Sequence, residues 1–295
     1  MPELPEVETI ARGLDRRVKG DVIESVWLGS KPEPLKSPAA EIVATLESKK
    51  ILSVRRVGKH IVFDLERTSV GPAPSPAKAS KSRARAGRPK SLSLPNQLWD
   101  QWIVHLGMTG RMLICDLSEE IPKHTHAIAK LASGRELRFV DPRRFGRLSV
   151  THGFAACGAE PLEVELDRFV NLFHGRKTPI KSALLNQGLL SGVGNIYADE
   201  SLFRAGIRSR RRASSLSKES LRRLYLALRE VLKEAIKLGG SSVSDYVNSD
   251  GEEGFFQLEH RVYGREGAPC LVCKTPIKRV VIAGRSSHYC PACQH

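Results

Sequence analysis

Met1-Pro2-Glu3-Leu4-Pro5-Glu6 opens the chain and runs straight into an amphipathic repeat, with Val7, Ile10, Leu14 and Val18 at helical spacing. Glu6 and Glu8 fall in the first turn, Arg16, Arg17 and Lys19 in the last, and Gly20 follows, so the charges complement the helix dipole and the stop is marked. The spacing predicts a helix that buries one stripe and makes the chain terminus rigid. The six residues also have a chemical reading. If Met1 is removed, Pro2 becomes a free secondary amine flanked by Glu3 and, one turn on, Glu6. An α-amino group titrates near pH 8 (~7.7–8.0), so part of it is nucleophilic at neutral pH. A secondary amine that attacks a sugar aldehyde carbon gives an iminium whose charge does not depend on pH, and which can serve as an electron sink. Proline is also favoured at a helix's first position, so these residues by themselves admit a plain helix start as well.

Outward from the helix, Val22 to Leu28, Ile51 to Leu65, Trp99 to Leu106, Ala127 to Leu131 and Glu136 to Val150 are rich in β-branched and aromatic residues and read as strands. Ala132-Ser133-Gly134 reads as a hairpin turn. Strands that follow one another without long helices between them predict an antiparallel sandwich. After Thr151 the pattern turns helical, over Leu166 to His174, Pro179 to Asn186, Asn195 to Ala205 and Ser217 to Leu238, the last with Leu221, Leu224, Leu228, Val231, Ala235 and Leu238 on one face. The expected class is α+β: an amino-terminal sandwich over 1–157, a hinge at 158–165, a helical unit at 166–260 and a cysteine-bearing tail at 261–295. Between Thr68 and Asn96 the composition shifts to Pro, Ala, Ser and Gly with six cations from Lys78 to Lys90 and no acid, which predicts a disordered basic insertion.

A hydrophobic content of 41% over 295 residues is ordinary for globular proteins, but a net charge of +15 and a pI near 9.8 point to a polyanionic partner, nucleic acid before membrane. No apolar run approaches the length of a membrane span and the amino end lacks the features of a signal peptide, so the expected location is the cytoplasm. Cys270-x2-Cys273 and Cys290-x2-Cys293 have zinc-ribbon spacing, with Val280-Val281-Ile282 and Gly284 supplying a hairpin between the two knuckles. Four thiolates fill a tetrahedron, so one zinc would be structural and His288 a bystander. Cys115 and Cys157 read as plain buried thiols. Arg285 follows the Gly284 turn, where its guanidinium is either solvated or free to fork onto a phosphate. Asn195, after Gly192-Val193-Gly194, reads as a helix cap beside an anion-binding helix terminus.

MPELPEVET, His105 to Gly110 (HLGMTG), Asp141 to Gly146 (DPRRFG), Gly192 to Glu200 (GVGNIYADE) and the four-cysteine tail resemble, in that order, the formamidopyrimidine-DNA glycosylases, which excise oxidised purines such as 8-oxoguanine. The resemblance covers nearly the whole chain. It implies a monomeric, bifunctional glycosylase and lyase acting on damaged duplex DNA, with a helix–two-turn–helix unit and one zinc. Pro2 would be the nucleophile that cuts by β,δ-elimination, Glu3 the acid–base group and Glu6 a second, orienting carboxylate. Lys59, Asn195 and Arg285 would bind phosphate, with Lys59 also at the lesion, while Met108, Arg143 and Phe145 would fill the void left by an everted base. Residues 249–256 would match the loop that closes on that base. The insertion at 68–96 departs from the family's short turn and could add nonspecific DNA affinity or be a plain loop. An endonuclease VIII-like enzyme for oxidised pyrimidines would share Pro2, Glu3 and the ribbon, although Leu4 and the wedge residues favour the purine enzyme. A noncatalytic damaged-DNA-binding protein would keep the basic charge without needing Pro2, Glu3 or Lys59.

Overall fold

The computed structural model describes residues 1–66, 99–242 and 246–295, so the basic stretch 68–96 lies outside the described residues. The first helix, α1 (Leu4–Val18), forms where the repeat places it. Its buried stripe is divided between two cores. Leu4 packs with the carboxyl-terminal helices, whereas Val7, Ile10, Ala11, Leu14 and Val18 pack into the β-sandwich. One rigid element therefore pins the two halves together, with the chain terminus at the junction.

In chain order the sandwich is built from β1 (Ile23–Leu28), α2 (Ala39–Leu46), β2 (Ile51–Val57), β3 (His60–Leu65), β4 (Asp100–His105), β5 (Arg111–Asp116), β6 (Thr125–Leu131), β7 (Arg135–Val140) and β8 (Arg147–His152). The strands form two four-stranded antiparallel sheets, ordered β1-β6-β7-β5 and β2-β3-β4-β8. Phe63 of β3 stacks on Trp102 of β4 at 4.9 Å, and both are fully buried between the layers. The Ala132 to Gly134 hairpin joins β6 to β7 as its sequence predicts. Two strands read as continuous are each broken in two: Ile51 to Leu65 by the Gly58-Lys59 turn, and Glu136 to Val150 by the loop at 141–146. Gly58 at φ 61° suits a two-residue turn whose twist matches the strands, and Lys59 thereby stands at a hairpin tip and not within a strand. The short α2 and β5 carry no sequence signal strong enough to be read. α2 has a stripe of only two fully buried residues, Ile42 and Leu46.

Beyond the sandwich come α3 (Leu166–Phe173), α4 (Ile180–Leu184), α5 (Asn195–Arg204) and α6 (Lys218–Lys237), then the ribbon hairpin of β9 (Lys278–Ile282) and β10 (Arg285–Tyr289). α6 is capped by Ser217, whose hydroxyl accepts the Ser220 N–H at 3.1 Å, and buries Leu221, Leu224, Leu228, Val231 and Ala235 along one face. The segment expected to act as a hinge carries Glu160, which takes a bidentate pair from Arg56 at 2.8 and 2.9 Å, while Arg56 Nε reaches Glu8 of α1 at 2.7 Å. The Arg56 side chain is 7% exposed, so this junction is tied by a largely desolvated three-residue ion pair. Among the described residues no helix is long and apolar enough to cross a membrane.

A candidate catalytic cleft and nucleic-acid interface

Two contacts fix the terminus before any side-chain chemistry is considered. The Leu4 N–H donates to the Gly192 carbonyl at 3.0 Å, and the Glu3 N–H donates to Glu6 Oε2 at 2.7 Å. Glu3 caps α1 in a reciprocal capping box with Glu6, and its carboxylate also reaches a second helix. Its Oε1 accepts the Ile196 N–H at 3.2 Å, at the second residue of α5. Gly194 holds the cap position of α5 with extended backbone and no side chain, and a Cβ there would lie 2.1 Å from the Glu3 carboxyl carbon. Asn195, expected to cap this helix, is instead its first residue, because the cap comes from Glu3 across the fold. Asn195 donates to Ser286 of β10 at 3.3 Å.

Burial pushes the Glu3 carboxyl up to about 7, with the Lys59 charge and the α5 N–H groups opposing and Glu6 adding to the rise. A carboxyl in that range holds or releases a proton at neutral pH. Its Oε2 is buried and makes no hydrogen bond, leaving it free for a reacting atom. Glu6 is raised as well, first by burial, and is held by the Tyr197 hydroxyl and by the Ser241 N–H at 2.8 Å. Lys59 is shifted below the usual lysine range by burial, with Arg285 adding to the shift and Glu3 and Glu6 opposing it.

Glu3, Lys59, Met108, Asn195, Tyr263 and Arg285 line one cleft of about 330 Å³. Pro2 lines a smaller cavity of about 30 Å³ with Glu6, Met108 and Ile196, and this cavity shares Met108 and Ile196 with the cleft. Met1 borders both spaces, so its removal would enlarge the room in front of Pro2. The Gly107 turn carries Met108 at 41% exposure, and Phe145 is 51% exposed, so neither belongs to the core. Arg143 lies over the Phe145 ring at 4.8 Å. Asp141 is fully buried and pairs with neither arginine side chain. It accepts from Thr109 Oγ1 at 2.6 Å and the Gly146 N–H at 2.7 Å, clamping the two loops together, while Arg144 reaches Glu33 at 3.0 Å. Gly107, at φ 65°, approaches the Phe145 backbone so closely that a Cβ would fall 2.5 Å from it. The loop at 249–256 is docked at both ends: Ser249 accepts the Ile114 N–H at 3.1 Å, and Phe256 is fully buried among the helices.

The four cysteine sulfurs at 270, 273, 290 and 293 lie within 4.8 Å of one another, two pairs at 3.4 and 3.9 Å. Thiolates at the usual distance of about 2.3 Å from a tetrahedral zinc stand roughly 3.8 Å apart, so this donor set fits the ion. Cys115 is buried as expected, but Cys157 is exposed. Ala283 and Gly284 both take positive φ, 47° and 76°, the tight hairpin turn that puts Arg285 first on β10. Several positioning residues went unread in the sequence. Lys181 bonds the Ser286 carbonyl at 2.6 Å and Asp199 at 2.7 Å, and Asp199 accepts from Ser287 and the His288 N–H. Glu200 collects the N–H groups of Arg261, Val262 and Tyr263. Gln187 holds the Gly192 N–H and Val193 carbonyl of the turn that receives Leu4. Tyr197, Asp199 and Glu200 sit inside the GVGNIYADE stretch, where polar groups on an otherwise apolar helix are the one available signal.

Three family models match this chain in order: the formamidopyrimidine-DNA glycosylase N-terminal domain over 1–148, its H2TH domain over 157–247, and the zinc finger found in FPG and IleRS over 267–295. The chain belongs to the formamidopyrimidine-DNA glycosylase family. It is 42% identical over 304 residues to the formamidopyrimidine-DNA glycosylase of Solibacter usitatus, covering 100% of this chain and 99% of that one. It is 42% identical over 307 residues to the enzyme of that name from Thermus thermophilus, covering 100% and 98%. The crystal structure of the Thermus thermophilus MutM (Fpg) protein matches with a TM-score of 0.80 at 40% identity over 99% of this chain and 98% of that one. Lactococcus lactis Fpg in complex with DNA containing an abasic site matches with a TM-score of 0.81 at 29% identity over 99% of each. As in the family's zinc finger, the four thiolates here are the ligand set of one structural zinc ion.

Two outcomes follow from this geometry. Because the Glu3 carboxyl is raised from 4.5 to about 7, the stability it contributes is full below about pH 4.5 and is lost as pH rises through about 7. Glu3→Gln is therefore expected to gain in melting temperature over the parent as pH goes from 5 to 8, and an offset independent of pH would contradict the assignment. Chelation of the metal, or Cys290→Ala, is expected to release about one zinc per chain and unfold the ribbon. Loss of duplex affinity with the sandwich signal intact in circular dichroism is the predicted result.

Proposed function

We propose that this protein is a base-excision repair enzyme that removes oxidised purines, 8-oxoguanine and formamidopyrimidines, from duplex DNA and then cuts the abasic strand by β,δ-elimination. The observation that carries the reading is the convergence of the chain terminus with Glu3, Lys59, Asn195 and Arg285 on one cleft. After loss of Met1, the Pro2 amine attacks C1′ as the C1′–base bond breaks and the base leaves with its electron pair. The proton on the Pro2 nitrogen passes to the departing base anion, which leaves neutral, and Glu3 gives its own proton to the ring oxygen as the C1′–O bond opens, leaving a ring-opened iminium. Successive proton losses from that sugar then expel the 3′ and 5′ phosphates, with Glu3, now a carboxylate, as a nearby proton acceptor. Glu6 orients the terminus through the Glu3 N–H. Lys59, Asn195 and Arg285 hold the phosphates around the everted nucleotide, with Lys59 reaching the lesion as well. Phosphate contacts position and base contacts specify, so Arg143 is assigned to the orphaned cytosine while Met108 and Phe145 occupy the emptied stack.

In this reading the chain would divide into a catalytic sandwich at 1–157 with the insertion 68–96, a hinge at 158–165, a DNA-binding helical unit at 166–260 that includes the base-covering loop 249–256, and the ribbon at 261–295. The protein would act as a monomer on damaged duplex DNA, without a membrane, in the cytoplasm where that DNA lies. The test is single-turnover excision on an 8-oxoguanine duplex. Glu3→Gln is expected to bind the duplex and lose excision about a hundredfold or more, and a chain with extra residues before Pro2 to be inactive. Arg143→Ala is expected to reduce the preference for cytosine over adenine opposite the lesion by roughly tenfold, on the scale of one bidentate pair to a base edge. Full activity in the extended chain would overturn the reading.

A further inference from the structure

Residues 168–198 and 201–218 contain no Asp or Glu, while Arg176, Lys177, Arg210 and Arg212 fall within them. The fold lays these two stretches side by side. The Ile180 N–H donates to the Arg211 carbonyl at 2.7 Å, Ala213 to Thr178 at 3.0 Å, Ser214 to Arg176 at 2.8 Å and Lys181 to Ser209 at 3.3 Å. All four cations are exposed on this ladder, and none forms an ion pair among the described residues. Arg176 donates Nε to the Leu172 carbonyl and keeps its two terminal amines for solvent. The intervening acids do not offset the charge, since Asp199 and Glu200 are buried and taken up by Lys181, β10 and the backbone at 261–263. Arg208 and Arg211 are likewise occupied, by carbonyls of Pro291, Gln294, His295 and Ser215.

This ladder is continuous with the cleft. Lys181 bonds the Ser286 carbonyl at 2.6 Å, and Ser287 Oγ bonds Ser209 Oγ at 2.8 Å, so both stretches are fastened to β10 next to Arg285. We propose that Arg176, Lys177, Arg210 and Arg212 form a second phosphate-binding surface that follows the duplex backbone away from the lesion, beyond the phosphates at Arg285. The proposal rests on the reading of the chain as a DNA-acting enzyme and adds to it a binding track outside the cleft. A row of cations on rigid backbone, without carboxylate partners, suits a regularly spaced polyanion, and each phosphate it neutralises releases counterion.

The test is the salt dependence of equilibrium binding to undamaged duplexes of two lengths, roughly one helical turn and roughly three. In the variant carrying Arg176→Gln, Lys177→Gln, Arg210→Gln and Arg212→Gln, the slope of log K against log salt on the long duplex is expected to flatten by about 0.9 for each phosphate no longer neutralised, a total of about 2 to 3.6. The slope on the short duplex should hold, as should single-turnover excision of 8-oxoguanine at saturating protein. A second variant, Lys177→Gln with Arg210→Gln, removes no side-chain hydrogen bond of the described structure and should show about half the effect. An unchanged slope on the long duplex, or equal flattening on both lengths, would overturn the proposal. Parent protein that binds duplex with a steep slope but excises nothing would instead overturn the catalytic reading and leave the track standing.

Discussion

A buried carboxylate at the amino end of another helix is the constraint on which the site depends. Glu3 reaches from the first turn of the chain to the N–H of Ile196, and the Leu4 N–H meets the Gly192 carbonyl beside it. The α5 terminus offers unsatisfied donors and positive potential, and the carboxylate takes them up. The same burial that places Glu3 raises it to about 7, the range in which a proton can be both given and taken. Gly194 is required because nothing larger leaves room for the carboxyl, and Leu4 fixes the approach by packing into the helical core. Position and acidity therefore have one cause.

The remaining contacts of the cleft reach it through rigid elements. Arg285 follows the two-residue turn and opens a strand that is fastened to α4 and α5 by Lys181 and Asp199. The Met108 and Phe145 loops are joined by the buried Asp141, so large apolar side chains stay exposed without a mobile backbone. Zinc completes the scheme by holding a ribbon too small to supply its own core. Such a site gives up stability for position: buried carboxylates and exposed apolar groups each cost free energy that two well-packed cores offset.

Much of this was legible in the sequence. The α1 repeat, the strands, the α6 stripe and the cysteine spacing are local patterns, and local periodicity survives into the fold. Lys59 shows the limit, since Ile51 to Leu65 reads as one strand with Gly58 and Lys59 inside it, and only the pairing of β2 with β3 reveals the turn. Asn195 shows another: a helix cap is usually local, but here it comes from a residue at the far end of the chain. Tyr197 and Ser241, which hold Glu6, and Lys181, which holds β10, act over separations that no local spacing records. Short α2 lacked enough buried positions to rise above its surroundings.

The central claim is that the chain terminus, placed by Glu3 and Leu4, is the covalent nucleophile. The most direct measurement is borohydride reduction of the protein on an 8-oxoguanine duplex, followed by mass spectrometry of the adduct. The account predicts that an adduct forms on the damaged duplex, is nearly absent on an undamaged one, and maps to Pro2 with Met1 removed. An adduct on Lys59, or strand cutting without any trapped species, would contradict it.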